Sequence, residues 1–240
     1  MKTISIGDLH GKDCWKKINV KFYDKIIFLG DYTDAWPNDK TDKEILENLA
    51  DLIQFKKDNP LKVILLLGNH DIQYIFLGKY NCSGFRKSMA PSLKFLFEDN
   101  IDLFQYAFQI KNYLWTHAGI SKKWWLNYGK PFATNDFTDY ADAIECLVNV
   151  NQYREDLFEV GSIRGGYSGN YGGILWADKT EIRANYPFDE NIHQIVGHTP
   201  NKKIETINKF QDKVFQNASV TFTDCLDTSS DINDFYILNI

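Results

Sequence analysis

No stretch of this chain approaches the roughly 18 consecutive apolar residues that a membrane span requires, so none is expected. The four cysteines, Cys14, Cys82, Cys146 and Cys225, form no C-x-x-C pair and have no zinc-finger spacing. That removes a structural zinc module and a redox dithiol, and leaves free thiols in a reducing compartment as the default. There is no basic run, and the net charge is −5, which disfavours a chain held to nucleic acid by electrostatics. Neither an internal repeat nor a low-complexity linker is visible. Met1 leads directly into the strand-like Thr3-Ile4-Ser5-Ile6, with no basic leader, apolar stretch or small-residue cleavage site, so a cytoplasmic protein is expected.

What is present is an ordinary globular composition. The 240 residues are 44% hydrophobic and 25% charged, ample for a buried core and consistent with one domain. The aromatic share of 15% is assigned to core filling.

The first 120 residues alternate strand and helix. Lys2–Ile6, Lys25–Leu29 and Val63–Leu67 read as strands, the last an unbroken aliphatic run of the kind covered on both faces. Lys12–Ile18 reads as a brief helix. Ile45, Leu46, Leu49, Leu52 and Ile53 recur at helical spacing across Asp42–Lys57, with Pro60 beyond the end. This order predicts strands at least partly parallel, with right-handed crossovers. A helix over Ser92–Phe97 and strands over Gln105–Ile110 and Tyr113–Thr116 follow. Residues 121–173, with a helix near Phe137–Val150 and a glycine-rich run from Gly161 to Gly173, read as a partly helical insertion in a single domain spanning 1–240. Ile192–Val196 is a further strand, and the pieces Val220–Thr223 and Phe235–Ile240 read as part of a second, more antiparallel sheet.

Five short motifs stand at the ends of these strands: Gly7-Asp8-Leu9-His10-Gly11, Gly30-Asp31-Tyr32-Thr33-Asp34, Gly68-Asn69-His70-Asp71, Thr116-His117-Ala118-Gly119 and Gly197-His198-Thr199. Open α/β sheets place their ligands at the carboxyl ends of strands. Each motif alone has an ordinary explanation as a turn or a satisfied polar cluster; their joint order does not. Asp8 and His10 can turn to one point, Asp31 can bridge two cations, and Asn69, His117 and His198 complete three oxygen and three nitrogen donors. That mixture suits manganese, iron or zinc better than magnesium or calcium. Two cations about 4 Å apart clamp a phosphoryl group and lower the pKa of a bridging water, which attacks phosphorus in line. The leaving alkoxide then needs a proton, and His70 is the expected donor, with Asp34 holding its other ring nitrogen.

These residues resemble the calcineurin-like metallophosphoesterases, nearest the phosphoprotein-phosphatase branch with its phage and bacterial serine/threonine phosphatases. The resemblance spans residues 2 to about 200 and includes Leu175-Trp176-Ala177-Asp178, similar to that branch's Leu-Trp-Ser-Asp segment. It implies an α/β (α+β) fold, with two mixed sheets packed as a sandwich flanked by helices. It also implies Asp8, His10 and Asp31 on one metal, Asp31, Asn69, His117 and His198 on the other, and His70 as acid positioned by Asp34.

Two departures bear on the substrate. The branch follows its second-motif aspartate with Arg-Gly, where this chain has Ala35-Trp36, and it places an arginine before the third-motif glycine, where this chain has Leu67. Those arginines grip the phosphate, and a bidentate guanidinium is not easily replaced. Arg164, in Ser162-Ile163-Arg164-Gly165-Gly166, is the candidate substitute, set against a plain surface arginine; Arg183 and Lys12 are weaker ones. Trp36, Trp124, Trp125, Tyr167 and Tyr171 read chiefly as packing; the other reading is a pocket for a base or sugar.

The leading expectation is a dimetal phosphoesterase acting on phosphomonoesters of a protein, nucleotide or small metabolite, with two divalent ions, manganese first. On the same centre, a phosphodiesterase or nucleotide pyrophosphohydrolase of the dinucleoside-polyphosphate type is the alternative, and an RNA-end phosphate stays open as substrate. A non-catalytic scaffold is the remote alternative, since it predicts eroded ligands and all six, with the acid, are in place.

Overall fold

The computed structural model describes residues 1–35, 39–184, 186–226 and 235–240. The chain divides into two compact units, Met1–Gln105 with Cys225–Ile240, and Tyr106–Asp224. Among the described residues each unit is built on one five-stranded mixed sheet.

In the first unit, β1 (Lys2–Ile6), β2 (Lys25–Phe28), β3 (Val63–Leu66) and β4 (Phe104–Gln105) lie side by side and parallel, and β12 (Tyr236–Asn239) adds antiparallel to β1. All four residues of β3 are buried, as its aliphatic run requires. Helix α1 (Asp42–Asp58) starts at a capping box, Thr41 with Glu44, worth about 1 kcal/mol, and buries Ile45, Leu49, Leu52 and Ile53. Leu46 stays half-buried at the edge of that stripe. The short helix α2 (Asn69–Ile75) follows β3, and α3 (Ala90–Asp99) precedes β4. The helix expected over Lys12–Ile18 is instead a single 3₁₀ turn, Cys14–Lys17, and a second turn, Val20–Phe22, follows it. Here Cys14 and Trp15 are buried, and the Trp15 indole donates to Asn48 of α1 at 3.0 Å, so packing fixes the link without regular helix.

The second unit orders its strands β5 (Ala107–Ile110), β6 (Tyr113–Thr116), β7 (His193–Val196), β11 (Ser219–Phe222) and β8 (Glu205–Ile207). β6, β7 and β11 are mutually parallel, so this sheet is less antiparallel than expected. Of the two pieces assigned to it only Val220–Thr223 belongs here, as β11; Phe235–Ile240 supplies β12 of the first sheet, where it pairs with β1. β9 (Lys209–Phe210) and β10 (Lys213–Val214) form a small ribbon. The expected single strand Gln105–Ile110 is two: β4 joins the first sheet and β5 the second. The break has a cause, because the Glu145 carboxylate takes the backbone N–H groups of both Tyr106 and Ala107.

Region 121–173 carries α4 (Lys122–Tyr128), α5 (Lys130–Thr134), α6 (Tyr140–Val148) and α7 (Asn151–Leu157). Trp124 is fully buried, its indole donating to Asp156 O at 2.8 Å. Trp125 packs on Phe132, Tyr140 and Phe188. Both tryptophans therefore serve packing, whereas Tyr167 is 84% exposed. Trp36 lies outside the described residues. Helix α8 (Lys179–Ala184) precedes β7.

Candidate metal centre and acid pair

The first three motifs occupy the loops after β1, β2 and β3, and the backbone ties them together. His10 N–H donates to Asp31 O at 2.8 Å and Gly11 N–H to Tyr32 O at 3.0 Å. Asp71, on the first turn of α2, accepts from the N–H groups of Asp31 (2.7 Å), Tyr32 (2.9 Å) and Gly68 (2.9 Å). One fully buried carboxylate thus fixes the second-motif loop against the third. Burial and the neighbouring Asp31 charge push the Asp71 carboxyl up, while those three donors pull it back.

The same loops approach so closely at Gly30 that a Cβ there would stand 2.4 Å from Gly68 N and 2.8 Å from Gly68 Cα, on a backbone with φ of +100°. Gly30→Ala is therefore expected to destabilise the chain by about 3 kcal/mol, read as a lower urea midpoint with loss of bound metal. A midpoint within experimental error of the wild type contradicts the tight approach.

His10, Asp31, Asp34 and His198 all have positive φ, from 44° to 65°. Non-glycine residues adopt this region only when their surroundings compel it, and such positions gather at functional sites. His10 Nδ1 faces Thr33 O at 2.9 Å, which leaves Nε2 as the candidate ligand atom, 3.9 Å from Asp31 Oδ2. Burial, outweighing Asp31, lowers the His10 pKa, so the neutral imidazole that a metal needs is favoured. Asp8, His10 and Asp31 each offer one donor atom within 4.8 Å of the others. Two buried carboxylates with one correctly turned imidazole fit a divalent cation. Asn69 is buried at the start of α2.

Beside this cluster lies the His70–Asp34 pair, the candidate acid and its orienter. His70 Nδ1 is 3.0 Å from Asp34 Oδ2, and His70 N–H donates to Asp31 Oδ1 at 2.9 Å. Burial pulls the His70 pKa down, but Asp31, the Asp34 hydrogen bond and Cys82 more than offset it, and the ring sits well above the usual histidine value. Asp34 is itself gripped by Gln73 Nε2 and Tyr74 OH. The motifs alone did not point to Asp71, Gln73, Tyr74 or Cys82. The acidic residue closing Gly68-Asn69-His70-Asp71 was the one visible signal among them.

In the second unit the parallel pair β6 and β7 carries the fourth and fifth motifs side by side. Gly197 N–H donates to His117 O at 2.7 Å, and His117 Nε2 stands 3.2 Å from His198 Nδ1. Both histidines are buried, and the Trp176 ring meets His198 edge-on at 5.7 Å. Arg164 is anchored by Asp178 Oδ2 at 2.8 Å and donates to Thr199 Oγ1 at 2.9 Å, placing its guanidinium one residue from His198. A Cβ at Gly166 would stand 1.8 Å from Val160 O, so glycine is required for this loop to fold back under Arg164. Arg183 is taken up by Glu205 at 3.2 Å, and Lys12 lies 4.0 Å from Asp39.

No curated protein sequence matches the chain. Among solved structures, the fold resembles a cold-active protein-tyrosine phosphatase of a psychrophilic Shewanella (20% identity, TM-score 0.53, 99% of this chain and 75% of that one). It also resembles a protein serine/threonine phosphatase from Saccharomyces cerevisiae (15% identity, TM-score 0.52, 96% and 70%). None of the described helices is long and apolar enough to cross a membrane. The model of the calcineurin-like phosphoesterase family matches residues 1–217, and the chain belongs to that family, as a dimetal-dependent hydrolase of phosphate esters.

Proposed function

We propose that the protein is a phosphomonoesterase of the phosphoprotein-phosphatase kind, with His70 as its catalytic acid. The observation that carries this is the His70–Asp34 pair at 3.0 Å, locked by Gln73 and Tyr74 beside the Asp8–His10–Asp31 cluster. By the family pattern, Asp8, His10 and Asp31 hold one cation, while Asp31, Asn69, His117 and His198 hold the other. The oxygen and nitrogen donors favour manganese, with iron or zinc as the other candidates. When bound, the two cations neutralise phosphoryl charge and acidify water. His70 Nε2 delivers the proton to the departing alkoxide, and Asp34 keeps the ring turned toward it. Four free cysteines suit a reducing, cytoplasmic setting.

Arg164 is proposed to hold the substrate phosphate in place of the two arginines that this chain lacks at Ala35 and Leu67. Already oriented by Asp178, it loses little freedom on engaging a phosphate oxygen. Arg164→Ala is expected to lower kcat/KM by roughly 10- to 100-fold, the worth of one or two charged hydrogen bonds, and Arg164→Lys to recover only part of it. Equal kinetics in all three proteins rejects the role.

One observation favours a second reading. Fewer cationic side chains suit the single charge of a diester better than the double charge of a monoester, which makes a phosphodiesterase or pyrophosphohydrolase the alternative. Steady-state hydrolysis of p-nitrophenyl phosphate and bis(p-nitrophenyl) phosphate, with manganese restored after chelation, separates the two. Preferential monoester turnover supports the phosphatase; turnover of the diester alone transfers the assignment to the alternative.

A further inference from the structure

We propose that Asp34, His70 and Cys82 form a separate inhibitory metal site, selective for zinc-like cations. The three residues each present one donor atom, all within 4.8 Å of one another. The cluster is built rather than incidental. The Gln73 amide ties two of its members, donating through Nε2 to Asp34 Oδ2 and accepting through Oε1 from Cys82 N–H at 3.2 Å. Tyr74 OH holds the other Asp34 oxygen, and the segment after Cys82 is fastened over the same helix. There Phe85 stacks on Tyr74 with ring centroids 5.1 Å apart, and Arg86 N–H donates to Tyr74 OH at 2.9 Å. Arg86 also donates to Ala35 O at 2.5 Å and to Asp42 at 2.8 Å, closing this strap at its far end. Cys82 Sγ lies 3.6 Å from Asn69 O, and the residue is only half-buried, so this corner of the cluster is not sealed within the core.

The donor chemistry sets the selectivity. Asp8, His10 and Asp31 offer oxygen and nitrogen alone. The Asp34–His70–Cys82 set adds sulfur, which prefers zinc over manganese, and three protein donors leave the fourth tetrahedral position for water or phosphate. Coordination releases two protons to solvent, one from the thiol and one from the His70 ring nitrogen that binds the cation, and the His70–Asp34 hydrogen bond is lost as both side chains turn to the metal. His70 then cannot carry the second ring proton that an acid donates. This loss of activity rests on His70 being the acid, as proposed above; the existence of the site does not.

Cobalt(II) separates these two parts. Added to the manganese-loaded protein, it is expected to produce a near-ultraviolet thiolate-to-cobalt charge-transfer band, which oxygen and nitrogen donors cannot give. The band should disappear in Cys82→Ala and in the near-isosteric Cys82→Ser, and persist in Cys146→Ala. Zinc should inhibit wild-type turnover, with potency at least about 10-fold weaker in both Cys82 variants, each read against its own zinc-free rate. An absent band, or one that survives loss of Cys82, overturns the site. A band lost on mutation while zinc sensitivity stays the same overturns its coupling to the acid. The phosphatase assignment fails separately, on the ester panel without zinc.

Discussion

Replacing His70 with Asn lowers kcat on an alkyl phosphomonoester such as phosphoserine by roughly a hundred- to ten-thousand-fold, the usual contribution of a positioned general acid. On p-nitrophenyl phosphate the loss is much smaller, because p-nitrophenolate departs without a proton. This contrast distinguishes an acid from a residue that merely supports the fold, which would depress both substrates alike. The structure supplies the reasons to expect it. The ring is oriented by Asp34 at 3.0 Å, and Asp34 is in turn held by Gln73 and Tyr74. The test compares kcat for the two esters in wild type and His70→Asn at equal metal content. An equal loss on both sinks the acid role.

Asp31→Asn is expected to be comparably damaging and, unlike His70→Asn, to act on every substrate. Its carboxylate lies within the Asp8–His10 cluster, accepts His70 N–H at 2.9 Å and stands in a left-handed backbone held by Asp71. Removing the charge weakens the proposed hold on both cations. The transition-state stabilisation forfeited is several kcal/mol, or about a thousand-fold or more in turnover at 1.4 kcal/mol per factor of ten. Elemental analysis of the variant should show depleted metal, with a circular dichroism spectrum like that of the wild type. Full metal occupancy with near-normal turnover contradicts the assignment of Asp31.

Much of this was legible in the order of residues, and for physical reasons. Val63–Leu66 is buried along its length, and an unbroken aliphatic run signals that without any structure. The motif loops fell at strand ends because a parallel sheet leaves its carboxyl ends open to ligands. The single extended piece Gln105–Ile110 misled, because its division depends on Glu145, 38 residues beyond Ala107 and invisible to local periodicity. The segment Lys12–Ile18 resembled a helix in composition, yet with Cys14 and Trp15 buried it forms a single 3₁₀ turn. Composition also could not reveal that His10, Asp31, Asp34 and His198 adopt positive φ, since backbone strain is set by the surrounding hydrogen bonds. The supports of the acid pair escaped for a related reason. Gln73, Tyr74 and Cys82 belong to no motif, and only folding carries them to Asp34 and His70.

The chain is a dimetal phosphate ester hydrolase by family, and Asp8, His10, Asp31, Asn69, His117 and His198 are proposed to hold the two cations. The most direct test strips the protein with a chelator, titrates manganese back, and follows bound metal and ester hydrolysis together. The expected result is two manganese ions per chain, with turnover absent from the stripped protein and rising as the second ion binds. Turnover indifferent to chelation, or a folded chain that binds no metal, contradicts it.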